Sequence, residues 1–247
     1  MMRSLLVVIL LAAACATTSG TGPDKAKMAE GYYMKGLSYV QEKKYELASV
    51  EFNRSIQTDS DYKQSYYMLG VISDSRGQYD AAIAYYKEAL AIDSNYSEAY
   101  NALGTVYSKQ QKWKEALKAF NRALENKLYA TPHVPYLNIG RVYLAQKDYE
   151  KAIAAFREAK RYASYDFIMY ELGSALFDAG RVKESITEFR EGVAISPQNA
   201  NLRFSLGVAL VKDGNKRAAV EEFRKVAEIT PGSDLARQAK DYLKTLR

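Results

Sequence analysis

The chain has 247 residues and a net charge of +6, with 48% hydrophobic and 26% charged residues, a composition that supports an ordered protein and excludes a disordered one. One cysteine, Cys15, and one histidine, His133, exclude an internal disulfide and leave too few ligands for a zinc site or a histidine-based triad. Lysine and arginine alternate with acidic residues rather than forming the dense cluster that nucleic-acid binding requires.

The first element is a short export signal. A positive start, Met1–Arg3, precedes an unbroken apolar run from Leu5 to Ala14, and Cys15 follows directly. The run is shorter than the roughly 20 residues that a membrane-spanning helix needs. The segment Leu11–Cys15 resembles a bacterial lipoprotein signal, although Ala12 stands where such signals prefer leucine. The alternative is a plain secretory signal with an incidental cysteine.

The lipoprotein resemblance implies that residues 1–14 are removed and that Cys15 becomes the acylated N-terminus. Ala16 follows where an aspartate would resemble an inner-membrane retention signal, so we expect a lipid anchor at the outer membrane, on its periplasmic face. Residues 15–24 include a small and polar stretch, which predicts a flexible tether. The rest of the chain, 25–247, is predicted to form the folded domain.

A glycine recurs through that domain at intervals of 34, 34, 36, 33 and 34 residues. Twelve residues after each glycine stands a small residue, and four further on stands an aromatic one. Since glycine in a helix interior costs about 1 kcal/mol relative to alanine, its repetition at one register indicates that two helices approach closely there. The six glycines are Gly36, Gly70, Gly104, Gly140, Gly173 and Gly207.

These columns resemble the tetratricopeptide repeat, a pair of helices (A and B) of 34 residues. The resemblance covers about residues 29–232 and implies an all-α fold, a right-handed superhelical solenoid of six helix pairs. The repeats are assigned to about 29–62, 63–96, 97–130, 133–165, 166–199 and 200–232. An apolar face in 233–246, with Ser233 as a candidate N-cap, predicts a C-terminal capping helix.

The junction between the third and fourth repeats is irregular. The spacing there is 36 residues, and Pro132 and Pro135 lie at the start of the fourth repeat. Because proline interrupts helical hydrogen bonding, we expect a longer loop that includes both prolines and His133.

In arrays of this kind the A helices line a groove, and the resemblance implies that the groove residues lie three before, one after and four after each glycine. These positions are mostly apolar or aromatic, which predicts binding of an amphipathic helix or an extended apolar segment. The alternative for any single residue is that a neighbouring repeat covers it. The candidate groove residues are Tyr33, Leu37, Tyr67, Val71, Asn101, Leu137, Arg141, Tyr170, Phe177 and Phe204.

No nucleophile elbow, P-loop or zinc-protease motif is present in the sequence, so we expect no catalytic residues, metal, cofactor or small-molecule substrate. The lipoprotein signal, the six repeats and the segment from Tyr129 to Pro132 with Asn138–Gly140 together resemble the type IV pilus pilotin family. That resemblance implies a protein partner, the subunit of an outer-membrane secretin, which the chain would help to reach the membrane and to multimerise.

Two other functions stay open at this point. One is a general periplasmic adaptor lipoprotein that scaffolds cell-wall hydrolases or proteases. The other is an accessory subunit of an enzyme in an export complex.

Overall fold

The computed structural model describes residues 23–246, and in that range it holds thirteen α-helices and no strand, which confirms the all-α prediction. The helices are α1 (Pro23–Gln41), α2 (Tyr45–Thr58), α3 (Lys63–Ser75), α4 (Tyr79–Ile92), α5 (Ser97–Lys109), α6 (Trp113–Glu125), α7 (His133–Ala145), α8 (Tyr149–Tyr162), α9 (Asp166–Asp178), α10 (Val182–Ile195), α11 (Ala200–Lys212), α12 (Lys216–Ile229) and α13 (Asp234–Thr245). Each odd-numbered helix from α1 to α11 is the A helix of a pair, and α13 follows the sixth pair.

The described residues form two compact units, which divide between Ser65 and Tyr66. The first unit contains the hairpin of α1 and α2. The second unit contains α3 from Tyr66 onward and all later helices. None of the helices that the structure describes is long and apolar enough to cross a membrane.

The repeated glycine lets helix A approach helix B of the same pair. A Cβ built on Gly140 would lie 2.4 Å from the ring of Phe156, and the corresponding distances in the other five pairs are 2.5 to 2.8 Å. Real Cβ contacts are not this short, so the aromatic ring occupies the space that a side chain would need. In the second unit this ring also belongs to the core formed with the next pair, as Phe156 does with Leu172.

Each pair turns through three residues, and the middle one has a positive φ. Gly77, Gly180 and Gly214 adopt this backbone without strain, whereas Lys43, Gln111 and Lys147 adopt it at φ of 58° to 60°. The six hairpins therefore share one turn geometry although only half of them contain glycine.

The first unit joins α1 to α2 by ring packing and by polar contacts. The Tyr33 ring lies 5.7 Å from Phe52 and 5.4 Å from Tyr62, and burial raises the Tyr33 pKa. The buried Ser55 hydroxyl donates to the Ala29 carbonyl at 2.8 Å. Tyr33 is thus half-buried and contributes to packing within this unit.

The junction before the fourth pair is longer than the others but shorter than predicted. The loop covers 126–132, and α7 begins at His133, so the prediction that His133 and Pro135 lie in the loop is wrong. Pro135 is buried in the first turn of α7, where a helix has no hydrogen-bond acceptor for the backbone N–H that proline lacks.

Both ends of the folded part follow from local sequence. Helix α1 includes Pro23 and Asp24, the last two residues of the predicted tether, because proline fits the first helical turn and an acidic residue there favours the helix dipole. At the other end, the Ser233 hydroxyl accepts a hydrogen bond from the Ala236 N–H at 3.1 Å, which confirms Ser233 as the N-cap of α13. Leu235, Ala239 and their neighbours on that face pack into the core of the last pair.

Candidate protein-binding groove

The candidate groove in the second unit is the surface of α3, α5, α7, α9 and α11, here called the A-helix face. Neighbouring A helices contact each other at α5–α7 and α9–α11. Side chains on this face therefore meet across adjacent repeats. The face divides into two stretches with different chemistry. The polar stretch runs from Asp74 of α3 to the ion pair between Arg141 of α7 and Glu171 of α9, and the apolar stretch lies between α9 and α11.

The polar stretch is held by contacts between A helices. Lys109 Nζ lies 2.7 Å from the Asp74 carboxylate, and Arg141 Nη2 lies 2.6 Å from Glu171 Oε1. Between these ion pairs the Asn138 side-chain amide donates to Asn101 Oδ1 at 3.0 Å. Two of the predicted groove residues, Asn101 and Arg141, are thus engaged with other residues of the chain.

A cavity of about 250 Å³ opens in this stretch between α5 and α7. Its wall carries hydroxyl, amide and cationic groups above an aromatic floor. The Ser108 Oγ is buried and has no hydrogen-bond partner among the residues that the structure describes. The lining residues are Thr105, Ser108, Lys109, Trp113, Phe120, Asn138, Arg141 and Val142.

The apolar stretch contains a second cavity, of about 210 Å³, between α9 and α11. The predicted groove residues Phe177 and Phe204 form two of its walls, and the core residue Phe189 lies at its base. Tyr170 is 38% exposed and lies one helical turn before Ser174, which lines the cavity. The cavity is lined by Ser174, Phe177, Asp178, Phe189, Phe204, Ser205 and Val208.

The side chain of Lys212 lies over one wall of this cavity. Lys212 Nζ lies 4.5 Å from the centroid of the Phe177 ring, within the range of a cation–π contact. Within residues 23–246, Lys212 makes no ion pair with a carboxylate. This differs from the polar stretch, where the cations are paired.

One predicted groove residue belongs to the core instead. Leu137 is only 4% exposed and packs in the cluster that contains Ile153, Phe156 and Leu172, so its assignment to the groove is wrong. Helix α7 begins seven residues before Gly140, as α9 begins seven before Gly173, so Leu137 is buried by its neighbours in this cluster and not by a shift of the helix. Tyr67 and Val71 are half-buried, and both pack against the core around Tyr86. In the first unit Leu37 is half-buried, as Tyr33 is.

The structure adds groove residues that the sequence reasoning missed. Asn138 and Glu171 lie two residues before their glycine, and Lys109 and Lys212 lie five after it. Positions two before, one after and five after a glycine are spaced i, i+3 and i+7, so they form one stripe on a helix. This spacing can be seen in the sequence, and it could have predicted the polar and charged part of the face.

The described residues hold no cluster of three or more histidine, cysteine, aspartate or glutamate side chains that could bind a metal ion. Cys15, the predicted lipidation site, lies outside the residues that the structure describes. The geometry of the A-helix face, with open cavities lined by aromatic and polar side chains, suits noncovalent binding of a polypeptide.

Comparison with solved structures shows the same architecture. PilF of Pseudomonas aeruginosa has a TM-score of 0.76 and 20% identity, and the match covers 88% of this chain and 99% of that one. PilW, a widely conserved type IV pilus biogenesis factor, has a TM-score of 0.75 and 18% identity, and the match covers 86% of this chain and 98% of that one. YrrB, a tetratricopeptide protein with an unusual peptide-binding site, has a TM-score of 0.61 and 24% identity, and the match covers 77% of this chain and 97% of that one.

Comparison of the sequence with curated proteins finds no match. Family models described as tetratricopeptide repeats match residues 29–62, 75–111, 101–166, 173–214 and 200–233, which together exceed half of the chain. The structural features behind this family match are the glycine–aromatic pairs, the shared turns and the six hairpins. Tetratricopeptide proteins bind protein partners. The chain therefore belongs to the tetratricopeptide repeat family.

Proposed function

We propose that this chain is a lipid-anchored interaction scaffold of the pilotin type. It would bind a subunit of an outer-membrane secretin through the A-helix face and promote its localisation and multimerisation. The observation that carries the binding role is the open apolar stretch between α9 and α11, where Tyr170, Phe177 and Phe204 lie outside the fully buried core. The fold shared with PilF and PilW supports the assignment to pilus biogenesis.

The anchoring role rests on Cys15. One acyl chain gives only marginal membrane binding, while each additional buried CH₂ contributes about 0.8 kcal/mol, so two or three chains on one cysteine hold a protein at the membrane. An anchored scaffold raises the local concentration of its bound partner at that surface without any chemical step. The proposed mechanism is thus binding and positioning, with no catalysis.

Site-specific photo-crosslinking in cells tests the partner. A benzoylphenylalanine in place of Tyr170, on the exposed side of α9, is expected to capture the secretin subunit, to be identified by mass spectrometry. The same label in place of Tyr45, exposed at the start of α2 and off the A-helix face, is the control. Capture of peptidoglycan hydrolases or proteases from the Tyr170 position would favour the adaptor function and overturn the secretin assignment.

The anchor is tested separately. Cys15→Ala is expected to abolish incorporation of labelled palmitate and to release the protein from the outer-membrane fraction. If this variant still fractionates with the outer membrane as the parent does, the lipid attachment at Cys15 is refuted.

A further inference from the structure

The apolar stretch of the A-helix face combines a small cavity with a cation, Lys212, that makes no ion pair among the described residues. The cavity between α9 and α11 has a volume of about 210 Å³, below the range of roughly 300–1,000 Å³ that is typical of small-molecule sites. Phe177, Phe204 and Val208 give it apolar walls. This size and lining fit one large apolar side chain rather than a cofactor or metabolite.

Lys212 places a positive charge beside this cavity and favours a partner that carries a carboxylate. Its Nζ lies 4.5 Å from the Phe177 ring centroid and is exposed, and it has no carboxylate partner among the described residues. A carboxylate brought to Lys212 would therefore gain an ion pair without breaking an existing one. In the polar stretch, by contrast, an incoming carboxylate would have to displace Asp74 from Lys109 or Glu171 from Arg141.

From this charge complementarity we infer that the apolar stretch selects a helical protein segment with two features on one face. The first is a leucine or phenylalanine side chain that enters the cavity, and the second is an acidic residue that pairs with Lys212. Residues i and i+4 of a helix lie on one face, with Cβ atoms about 5–6 Å apart, so one helix face can reach both the cavity and Lys212, whose Nζ lies 4.5 Å from the centroid of the Phe177 ring. This inference rests on the proposed function, because it names the partner chemistry of the same face.

The orientation of the segment follows from the other charge at the cavity. Asp178 also lines it and has no cationic partner within residues 23–246. An acidic residue placed near Asp178 would be repelled, whereas one near Lys212 would be attracted. The segment is therefore expected to bind in one direction.

A helical peptide library displayed on phage tests the inference with the full chain solubilised in detergent. The library carries a randomised apolar position and a randomised residue four positions later. We expect enrichment of Leu or Phe followed by Glu or Asp, and a shift to Lys or Arg at the second position with Lys212→Glu. In fluorescence anisotropy, changing Glu to Lys in a selected peptide should weaken binding to the parent chain about five-fold or more at low ionic strength.

Matched variants separate the cavity from the rest of the surface. Val208→Trp fills the cavity and should abolish the enrichment while the helical circular dichroism stays unchanged. Val50→Trp adds the same ring to an exposed site on α2, and Lys240→Glu reverses an exposed charge on α13, and both should leave the peptide affinity within two-fold.

The inference is overturned if no peptide is enriched, if Lys212→Glu selects the same acidic peptides, or if Val208→Trp binds them as the parent does. These outcomes do not depend on which protein is captured in cells. Secretin capture with failure of the peptide selection would leave the proposed function standing and refute only this binding chemistry. Successful peptide selection with capture of another protein in cells would support this binding chemistry and refute the secretin assignment.

Discussion

The two stretches of the A-helix face are built on the same helix hairpins but use their polar groups differently. In the polar stretch, charged and amide side chains bind each other across neighbouring repeats, as Arg141 does with Glu171 and Asn138 with Asn101. Between α9 and α11, aromatic side chains surround an open cavity, and Lys212 contacts a ring rather than a carboxylate. The polar stretch pairs its charged and amide side chains with one another, whereas the apolar stretch leaves Lys212 without a carboxylate partner among the described residues.

This difference indicates which part of the A-helix face contributes more to the free energy of partner binding. A partner at the polar stretch must replace hydrogen bonds and ion pairs that already exist, so its net gain is small. A partner at the apolar stretch removes apolar surface from water and meets an unpaired cation, and both terms favour binding. We therefore expect substitutions between α9 and α11 to affect partner binding more than equivalent ones between α5 and α7.

The strongest test of the division uses Leu137 and Tyr170, which occupy the same register position in the fourth and fifth repeats. Leu137→Ala should lower the free energy of unfolding by about 2–5 kcal/mol, because Leu137 is buried in the core cluster of the second unit. Tyr170→Ala should cost much less stability, since its side chain is partly exposed, while reducing partner capture. Urea unfolding and crosslinking yield measure the two effects.

Equal destabilisation by the two substitutions would show that Tyr170 is a core residue like Leu137. The apolar stretch would then be narrower than proposed, and the division of the face would have to be redrawn around Phe177 and Phe204.

The next test asks whether both stretches depend on the same packing beneath them. Gly104→Ala, under the polar stretch, and Gly207→Ala, under the apolar stretch, should each cost about 1–3 kcal/mol, because a Cβ would lie 2.6 Å from the Phe120 ring and 2.8 Å from the Phe223 ring. Gly31→Ala in α1 is the control. A Cβ at Gly31 meets nothing within 4 Å, so this change should stabilise by up to about 1 kcal/mol.

Urea midpoints compare the three variants. If Gly104→Ala destabilises and Gly207→Ala does not, the last pair can repack around Phe223, and the two stretches differ in their core as well as on their surface.

The core of this fold could be predicted from the sequence because each packing contact repeats. The glycine and the aromatic residue represented by Gly104 and Phe120 recur at the same register in six copies, so a single physical reason explains all six pairs. Ser233 was also predictable, because an N-cap depends on residues close in sequence. The turns were predictable only where glycine marks them, since Lys147 adopts the same positive φ without any sequence signal.

The candidate site could be predicted less well, because it depends on contacts between residues far apart in sequence. Asn101 and Arg141 were expected to face a partner, yet their amide and guanidinium groups bind Asn138 and Glu171 of neighbouring A helices. Residue type and register cannot show which polar groups meet across 30 or more residues. Leu137 was misassigned for a related reason, because its burial depends on packing against residues of α8 and α9, such as Phe156 and Leu172.

A smaller effect is expected at the hydrogen bond that joins the loop ahead of α11 to α9. The Asn199 amide donates to Asp166 at 2.9 Å, and the Asn199 side-chain oxygen also caps α11 by accepting from the Leu202 N–H. Asn199→Ala should therefore cost about 0.5–2 kcal/mol, more than Asn215→Ala, which removes the matching cap of α12. Chemical unfolding at neutral pH measures both.

The pH dependence of the Asn199 variant identifies the contribution of Asp166. The hydrogen bond from Asn199 holds the pKa of the Asp166 carboxyl below its usual value, so its stabilisation is present above about pH 3.9 and is lost as pH falls through the lowered pKa. The cost of Asn199→Ala should accordingly shrink in strongly acidic solution. A cost that stays constant with pH would assign the effect to the cap alone.

The smallest expected effect is that of the Arg141–Glu171 ion pair in the polar stretch. The two side chains are 53% and 18% exposed, so a double-mutant cycle with Arg141→Ala and Glu171→Ala should give a coupling energy of about 0.2–1 kcal/mol that decreases with added salt. Because the pair stabilises so little, its main consequence is to occupy both charges. Arg141→Ala should then leave Glu171 free and make the polar stretch repel acidic peptides, whereas Glu171→Ala should free Arg141 and make it attract them. If neither single variant changes affinity for acidic peptides, internal pairing does not explain why the two stretches differ, and the apolar cavity alone must account for the selectivity of the face.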